Sequence, residues 1–304
     1  MTTIVSFQQK SDFQNIMQLA NPLVSVLMTA YNREKYISEA IDSVIAQSYT
    51  NWELIIVDDC SSDSTVSIAK EYIDKDNRIR LFFNQSNLGD YSNRNKAALL
   101  ANGKWLMWVD SDDKLFSDGI YKCISAMSVF PNALFGMYYR SNISRDSFYL
   151  DSNIAIETHF FKEQFLYIGP GGTIINRDFF NSIGGYPEKY GPANDMYFNL
   201  KATSIAGIVL LPFSFIFYRI HDEQEQNNHY SYLYNNYLYT RDALNEIQLG
   251  LTKNQTIYLQ KKSNRRFIIN LFRYFINSRD LKLTRNAWKT AGFSWNKFLS
   301  GVFH

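Results

Sequence analysis

The sequence predicts an α/β fold, a mostly parallel sheet flanked by helices, followed by a helical C-terminal region. Three observations carry this. Four apolar segments within the first 110 residues alternate with segments of helical spacing, and such alternation implies parallel strands joined by right-handed crossovers. Polar and acidic residues gather just past the apolar segments, at Thr29 to Tyr31, Asp58 and Asp59, Asn87, and 110–113. That is where open α/β sheets bind ligands. Beyond Asn227 the apolar spacing becomes helical and the charge becomes basic.

The elements follow in order. "LVSVLMTAYN" opens with a near-continuous apolar run, Leu23 to Met28, which reads as a fully buried strand. "EKYISEAIDSVIAQSY" places Tyr36, Ile37, Ala40, Ile41, Val44 and Ile45 at the three-and-four spacing of an amphipathic helix. "WELIIVDD" is a second buried strand ending in two carboxylates, and "SSDSTVSIAKEYI" a second helix with Ser and Asp available as caps. "RIRLFFN" is a third strand. "DYSNRNKAALLANG" is a third helix, for which Asn102-Gly103 forms a C-cap pattern. "KWLMWVDSDD" is the fourth strand. After residue 120 the pattern is less regular: "LFGMYYRSN" and "AGIVLLPFSFIFYRIH" read as strands, and a Gly/Pro-rich stretch leads into a helix from about Asn194. The expected organisation is an N-terminal extension (1–21), an α/β domain (22–225, with parts 22–120 and 121–225), and a basic helical region (226–304).

Composition bounds the function. The 304 residues suit one large α/β domain with an appendage, and 46% hydrophobic content supplies a sizeable core. The 21 Tyr and 23 Phe suggest core packing or sugar-stacking platforms. Cys60 and Cys123 make neither a disulfide framework nor a zinc cluster, which fits a reducing, cytoplasmic setting. Cys60 is assigned no role, and His159, His229 and His304 sit in no motif and are expected at the surface. The N-terminus lacks the apolar core of a signal peptide. The apolar stretch Ile205 to Tyr218, which contains Pro212, falls short of the roughly 20 residues of a membrane span. Net charge is +2, divided into +9 over 261–304 and −7 over the rest. Such a tail seeks an acidic surface, membrane headgroups in preference to nucleic acid.

In "KWLMWVDSDDKLF" an apolar run ends in Asp110, Asp112 and Asp113. Close carboxylates repel and raise one another's pKa unless positive charge sits among them. One reading is a solvated turn with Asp112 or Asp113 capping the next helix. The other is a hard-cation site, since Mg2+ and Mn2+ favour carboxylate oxygen. The convergence of strand ends favours the cation.

Taken together, "VSVLMTAYNREKYISEAIDSVIAQSYTNWELIIVDDCSSDST" and "NLGDYSNRNKAALLANGKWLMWVDSDD" resemble the nucleotide-diphospho-sugar domain of the family 2 glycosyltransferases. The resemblance covers about 23–120 and continues to about 222 through "GGYPEKYGPANDMYFNLKA" and "FYRIH". It implies a GT-A fold, which is a Rossmann-like sheet, and a metal-dependent inverting transferase. The donor would be a nucleotide-diphospho-sugar, with UDP-sugars preferred, and the cofactor a divalent cation, Mn2+ or Mg2+. The acceptor would be a hydroxyl of a glycan or lipid-linked sugar in cell-surface polysaccharide synthesis. Carried over by position, Thr29 and Tyr31 would line the nucleotide pocket and Asp59 would accept from the base. Asn87 and Arg94 would contact the nucleoside or diphosphate. Asp110 would bind the ribose or metal-bound water, Asp112 the metal, and His221 the metal or diphosphate. Asp195 would be the general base. Asn194 departs from the family's acid at that position. Asp113 is expected to orient its loop. Residues 22–225 would then be the catalytic domain, with 22–120 on the nucleotide side and 121–225 on the acceptor side. The tail, 261–304, holds more apolar residues than one narrow helix face: it would pack on the catalytic domain, or would also rest on the inner face of the membrane, making a cytoplasmic enzyme peripheral.

Each residue also has a plainer reading: Asp59 and Asp195 as helix caps, Tyr31 as packing, Arg94 as a surface residue, His221 as a hydrogen-bonded structural histidine. Two other functions compete. A non-catalytic nucleotide-sugar or glycan-binding module would keep the pocket and lose Asp112 or Asp195, and both are present. A sugar nucleotidyltransferase needs a Gly-rich basic loop after the first strand, where this chain has "MTAYNREKY". The absence of G-x-G-x-x-G there also argues against a dehydrogenase.

Overall fold

The computed structural model describes residues 21–140, 146–221 and 229–302. The chain forms two compact units from interleaved segments. One comprises the chain up to Asp151, Ile168–Gly185 and Ala206–Arg219; the other comprises Ser152–Tyr167, Tyr186–Ile205 and the chain from Ile220. The expected N-terminal extension lies outside the described residues apart from Asn21. Segments 152–167 and 186–205, expected within one catalytic domain, pack with the C-terminal helices instead.

In the first unit the alternation read from the sequence is realised. Strand β1 (Val24–Ala30) is followed by α1 (Ile37–Ile45), β2 (Trp52–Asp58), α2 (Thr65–Ile73), β3 (Ile79–Phe83), α3 (Asp90–Leu100) and β4 (Trp105–Trp108). β1 pairs in parallel with β2 and β4, and β2 with β3. Every residue of β2 and β4 is buried, as continuous apolar runs covered on both faces require. The sheet then continues with β8 (Thr173–Asn176), β6 (Phe135–Tyr138), β9 (Ile208–Leu211) and β7 (Phe148–Leu150). β8 is antiparallel to both β4 and β6. A separate two-stranded ribbon joins β5 (Lys114–Leu115) to β10 (Ile216–Phe217). Helices α4 (Gly119–Ser128) and α6 (Arg177–Ser182) complete this unit.

Gly103 has a different purpose from the expected cap. Helix α3 ends at Ala101 with extended geometry. A Cβ on Gly103 would lie 2.6 Å from the Ser25 nitrogen and 2.7 Å from the Leu23 carbonyl oxygen. The glycine is therefore needed for close approach to β1. Beside it, the buried Glu53 carboxylate accepts from the Ser25 hydroxyl at 2.6 Å, the Asn102 amide at 2.6 Å and Arg80 at 3.2 Å.

The second unit is helical: α5 (Ser152–Phe161), α7 (Asn194–Ala206), α8 (His229–Glu246), α9 (Lys253–Ser278), α10 (Leu281–Thr290) and α11 (Trp295–Val302). The start of α9 is set by a capping box between Thr252 and Gln255. Its core joins Leu233 and Tyr237 of α8 to Phe267, Ile268 and Leu271 of α9, with Ala287, Ala291 and Phe293 behind them. The basic tail thus builds a core of its own. The stretch before α7 is tied down by Tyr190, which donates to Asp242 at 3.0 Å, while Tyr197 donates to Glu246 at 3.0 Å. His159, expected at the surface, is 2% exposed on α5. Its Nδ1 accepts from the backbone N–H groups of Phe165 and Leu166, so the ring satisfies a turn that would otherwise bury orphan donors. The His229 side chain and His304 lie outside the described residues.

Candidate active site

The carboxyl ends of β1, β2 and β4 meet in the first unit. Loops after β1 and β2 are stitched together: the Asn32 N–H donates to Ser61 Oγ at 2.9 Å, the Ser62 N–H to Asn32 Oδ1 at 2.8 Å, and the Arg33 N–H to Thr65 Oγ1 at 2.7 Å. Asn32 and Cys60 take left-handed backbone angles, φ 52° and 67°, a geometry that residues other than glycine adopt only where the surroundings hold it. Thr29 is half-buried at the end of β1, paired in register with Val57, and Tyr31 is 48% exposed. Tyr31 therefore presents a ring to solvent beside the strand ends and is not core packing.

Asp59 is buried and holds a third loop. Its carboxylate accepts from the Leu88 N–H at 2.8 Å, the Gly89 N–H at 2.9 Å and the Asn84 amide at 2.6 Å. Asn87 donates to the Asp59 carbonyl at 3.2 Å. Asp59 is thus no cap for α2, whose N-cap residue is Ser64. Arg94, one of the buried residues of α3, pairs with Asp90 at 2.9 Å and with Asp110 at 2.7 Å. It is not a surface residue: it carries positive charge from the helix into the acidic cluster.

The cluster itself has three differently engaged carboxylates. Ligand oxygens of Asp110, Asp112 and Asp113 lie within 4.8 Å of one another. Asp112 pairs with the Arg33 guanidinium at 3.2 Å. Asp113 is buried and accepts from the Arg219 N–H at 2.9 Å, while Arg219 Nε donates to the Asp112 carbonyl at 2.9 Å. Asp113 is pushed up to about 7, chiefly by burial and then by the charge of Asp110. Asp110 is raised too, by burial first, against the pull of Arg94. Neither Asp112 nor Asp113 caps the next helix, whose N-cap residue is Asp118. Three hard oxygen donors whose mutual repulsion is relieved by positive charge fit Mg2+ or Mn2+. Asp113 is committed to the Arg219 backbone, which leaves Asp112 and Asp110 as the carboxylates suited to a cation.

The other two expected residues belong to the helical unit. Asp195 lies in the first turn of α7, 8% exposed, with Oδ1 accepting from the Met196 N–H at 2.7 Å. Asn194 accepts from the Tyr190 N–H and donates to the Gly191 carbonyl, so it serves the turn that leads into α7. His221 is half-buried, and the carboxylate cluster does not include it. Two residues escaped the sequence reading, Arg33 and Arg219. Each follows a strand ending within three residues, in "TAYNR" and "FYRIH", which puts it near the site without marking the carboxylate it meets.

A family model described as Glycosyl transferase family 2 matches residues 25–184. TuaG from Bacillus subtilis (strain 168), named for glycosyl transfer in teichuronic acid biosynthesis, is 42% identical over 106 residues, 35% of this chain and 42% of TuaG. WfgD from Escherichia coli, a UDP-Glc:alpha-D-GlcNAc-diphosphoundecaprenol beta-1,3-glucosyltransferase, is 41% identical over 105 residues, 34% of this chain and 41% of WfgD. The chain thus spans about two fifths of the length of these curated relatives. Among solved structures, S. aureus TarS 1-349 in complex with UDP superposes with a TM-score of 0.67 at 20% identity, covering 92% of this chain and 80% of that one.

Proposed function

The chain belongs to glycosyl transferase family 2 and has the GT-A fold, and from that premise we propose that it moves a sugar from a nucleoside diphosphate donor to a hydroxyl acceptor. The names of TuaG and WfgD support a place in cell-surface polysaccharide synthesis and a glycan or lipid-linked acceptor. The UDP donor in WfgD's name and the UDP in the TarS structure support uridine nucleotides.

The observation that carries the reading is the acidic cluster past β4 with two guanidiniums set against it, Arg33 on Asp112 and Arg94 on Asp110. Thr29, Tyr31 and Asp59 line the nucleoside side, with the 87–89 loop organised by Asp59. Asp112, assisted by Asp110, would hold a divalent cation, which supplies Lewis-acid neutralisation of diphosphate oxygens. Arg33 offers the diphosphate a charged, hydrogen-bonding fork. Arg94 fixes Asp110 so that the ribose or a bound water meets a preset acceptor, and preorganisation of this kind is often the largest catalytic contribution. Asp195 takes the proton of the attacking hydroxyl. Attack opposite the leaving diphosphate, with no covalent sugar–protein intermediate, inverts the anomeric centre. The experiment is to incubate the chain with Mn2+ and a panel of nucleotide sugars and follow release of the nucleoside diphosphate. Hydrolysis or transfer from one donor, lost with chelator, is the expected result; inert donors throughout would refute it.

Among the described residues no helix is long and apolar enough to cross a membrane. The helical unit nonetheless exposes Leu281, Trp295 (72% exposed) and Leu299 on α10 and α11. Lys282, Arg285 and Lys289 lie on α10 as well. Apolar groups among cations suit the surface of an anionic bilayer, where each Lys or Arg contributes roughly 1 kcal/mol. We place the chain peripherally on that surface.

A further inference from the structure

The helical unit contains a cavity of about 230 Å³ that none of the roles above uses. We propose that this cavity is an acceptor subsite for a phosphate-bearing sugar, a sugar monophosphate or diphosphate ester, with Lys262 and Arg266 as its phosphate ligands. The proposal rests on the transferase reading and names the acceptor's chemistry.

Charge selects an anion. The residues lining the cavity include Lys262 and Arg266 and no Asp or Glu. The two cations stand four residues apart on α9, and so on one face of the helix. Among the described residues neither has an ion-pair partner, whereas like charges at this spacing repel. A phosphate between them removes that repulsion and suits the guanidinium fork. Arg266 is also held in place, because it and Tyr239 hydrogen-bond the Tyr167 phenol. His159 lines the cavity but adds no charge. Both backbone donors at its Nδ1 require that nitrogen to be unprotonated, and burial lowers the ring to about 4.

Shape and polarity select a sugar. Tyr167, Tyr237, Tyr239 and Phe267 supply ring faces, which pack against the C–H faces of a pyranose. Asn236 Oδ1 is buried and lacks a partner among the described residues, a state that costs roughly 1–3 kcal/mol and that a sugar hydroxyl or amide would relieve. The volume lies below the roughly 300–1,000 Å³ of sites for larger ligands, so the cavity suits one phosphorylated sugar and not an oligosaccharide. Position ties it to the chemistry. Met196 and Leu200 of α7 line the cavity, Asp195 is the residue before Met196, and the Tyr239 phenol, raised chiefly by burial, also feels the Asp195 charge. An acceptor anchored by its phosphate would thus lie beside the proposed base.

The test is calorimetric titration of the full chain, saturated with UDP and Mn2+ so that the donor site is filled. The probes are N-acetylglucosamine 1-phosphate and citronellyl-diphospho-N-acetylglucosamine. Wild type should bind at least one, and Lys262→Gln with Arg266→Gln should weaken it tenfold or more while UDP binding stays unchanged. Asn236→Asp, which puts a negative charge against the phosphate, should weaken it similarly. Binding of both probes marks the sugar phosphate itself as the recognised unit; preference for the citronellyl compound marks a lipid-linked source for the same chemistry. Equal affinity in wild type and variants, or no binding of either probe by a wild type that binds UDP, overturns the proposal. A wild type that fails to bind UDP overturns the transferase reading, and this inference with it.

Discussion

Asp112 and Asp113 are adjacent and have opposite surroundings. Asp113 is buried on the Arg219 N–H, and Asp112 keeps a guanidinium partner near solvent. Asp112→Asn is therefore expected to remove Mn2+-dependent UDP binding, read by calorimetry with and without Mn2+, while leaving the fold intact. Asp195→Asn should leave that binding unchanged and cut turnover by roughly 10²–10⁴; turnover at the wild-type level would mean that another group takes the proton. At this scale much of the site was legible. Carboxylates at a strand end announce themselves, because crowded like charge has few structural uses. Arg33 and Arg219 were not legible as partners, because pairing across 79 and 107 residues of chain leaves no trace in local spacing. His159 was misplaced for a related reason: its value lies in accepting two N–H groups of a turn, and nothing in the sequence marks that turn. Its ring has a folded value of about 4, below the ordinary value of about 6.5, so the folded state favours the neutral form. The stability gained is complete above pH 6.5 and is lost as pH falls toward 4, on the order of 3 kcal/mol in all. His159→Asn should flatten the acid dependence of urea unfolding between pH 4.5 and 7; an unchanged slope would locate the acid sensitivity elsewhere.

At the level of elements, β1, β2 and β4 were readable because each is an apolar run buried along nearly its whole length, and α1 because its apolar stripe, Ile37, Ala40, Ile41 and Val44, is buried. The second half was harder. β8 runs antiparallel between β4 and β6, so the alternation that marks a parallel sheet breaks there. The Asn102-Gly103 pair shows how one residue pattern serves two ends. Glycine there answers to the Ser25 and Leu23 backbone, and Glu53 holds the turn through the Asn102 amide. Glu53 shows the balance directly: burial pushes its carboxyl up, yet hydrogen bonds from Ser25, Asn102 and Arg80 hold it below the usual range. Glu53→Ala would leave buried donors unpaired and is expected to destabilise the fold by about 2–4 kcal/mol, measured by urea unfolding. Loss below about 0.5 kcal/mol would show that water satisfies those donors.

At the scale of the whole molecule, the interleaving of the two units was invisible to a linear reading. Segments 152–167 and 186–205 leave the sheet-bearing unit and return to it, and only packing shows which side each joins. The tail's excess of apolar residues did signal packing, since Phe267, Ile268 and Leu271 are buried while Ile269, Phe272 and Ile276 remain exposed. Removing the tail would uncover Leu233 and Tyr237, so membrane association is better probed with Trp295→Ala and Leu299→Ala. These are expected to reduce co-sedimentation with anionic vesicles and to leave soluble UDP binding unaffected; unchanged pelleting would count against the membrane placement. Everything rests on the claim that the carboxylates past β4 hold a cation for a nucleoside diphosphate sugar. The most direct measurement is UDP release from a panel of UDP-sugars with Mn2+, with Mn2+ and excess chelator, and with Asp112→Asn. Release is expected in the first condition and none above background in the other two. Release that persists with chelator and in the variant would contradict that claim.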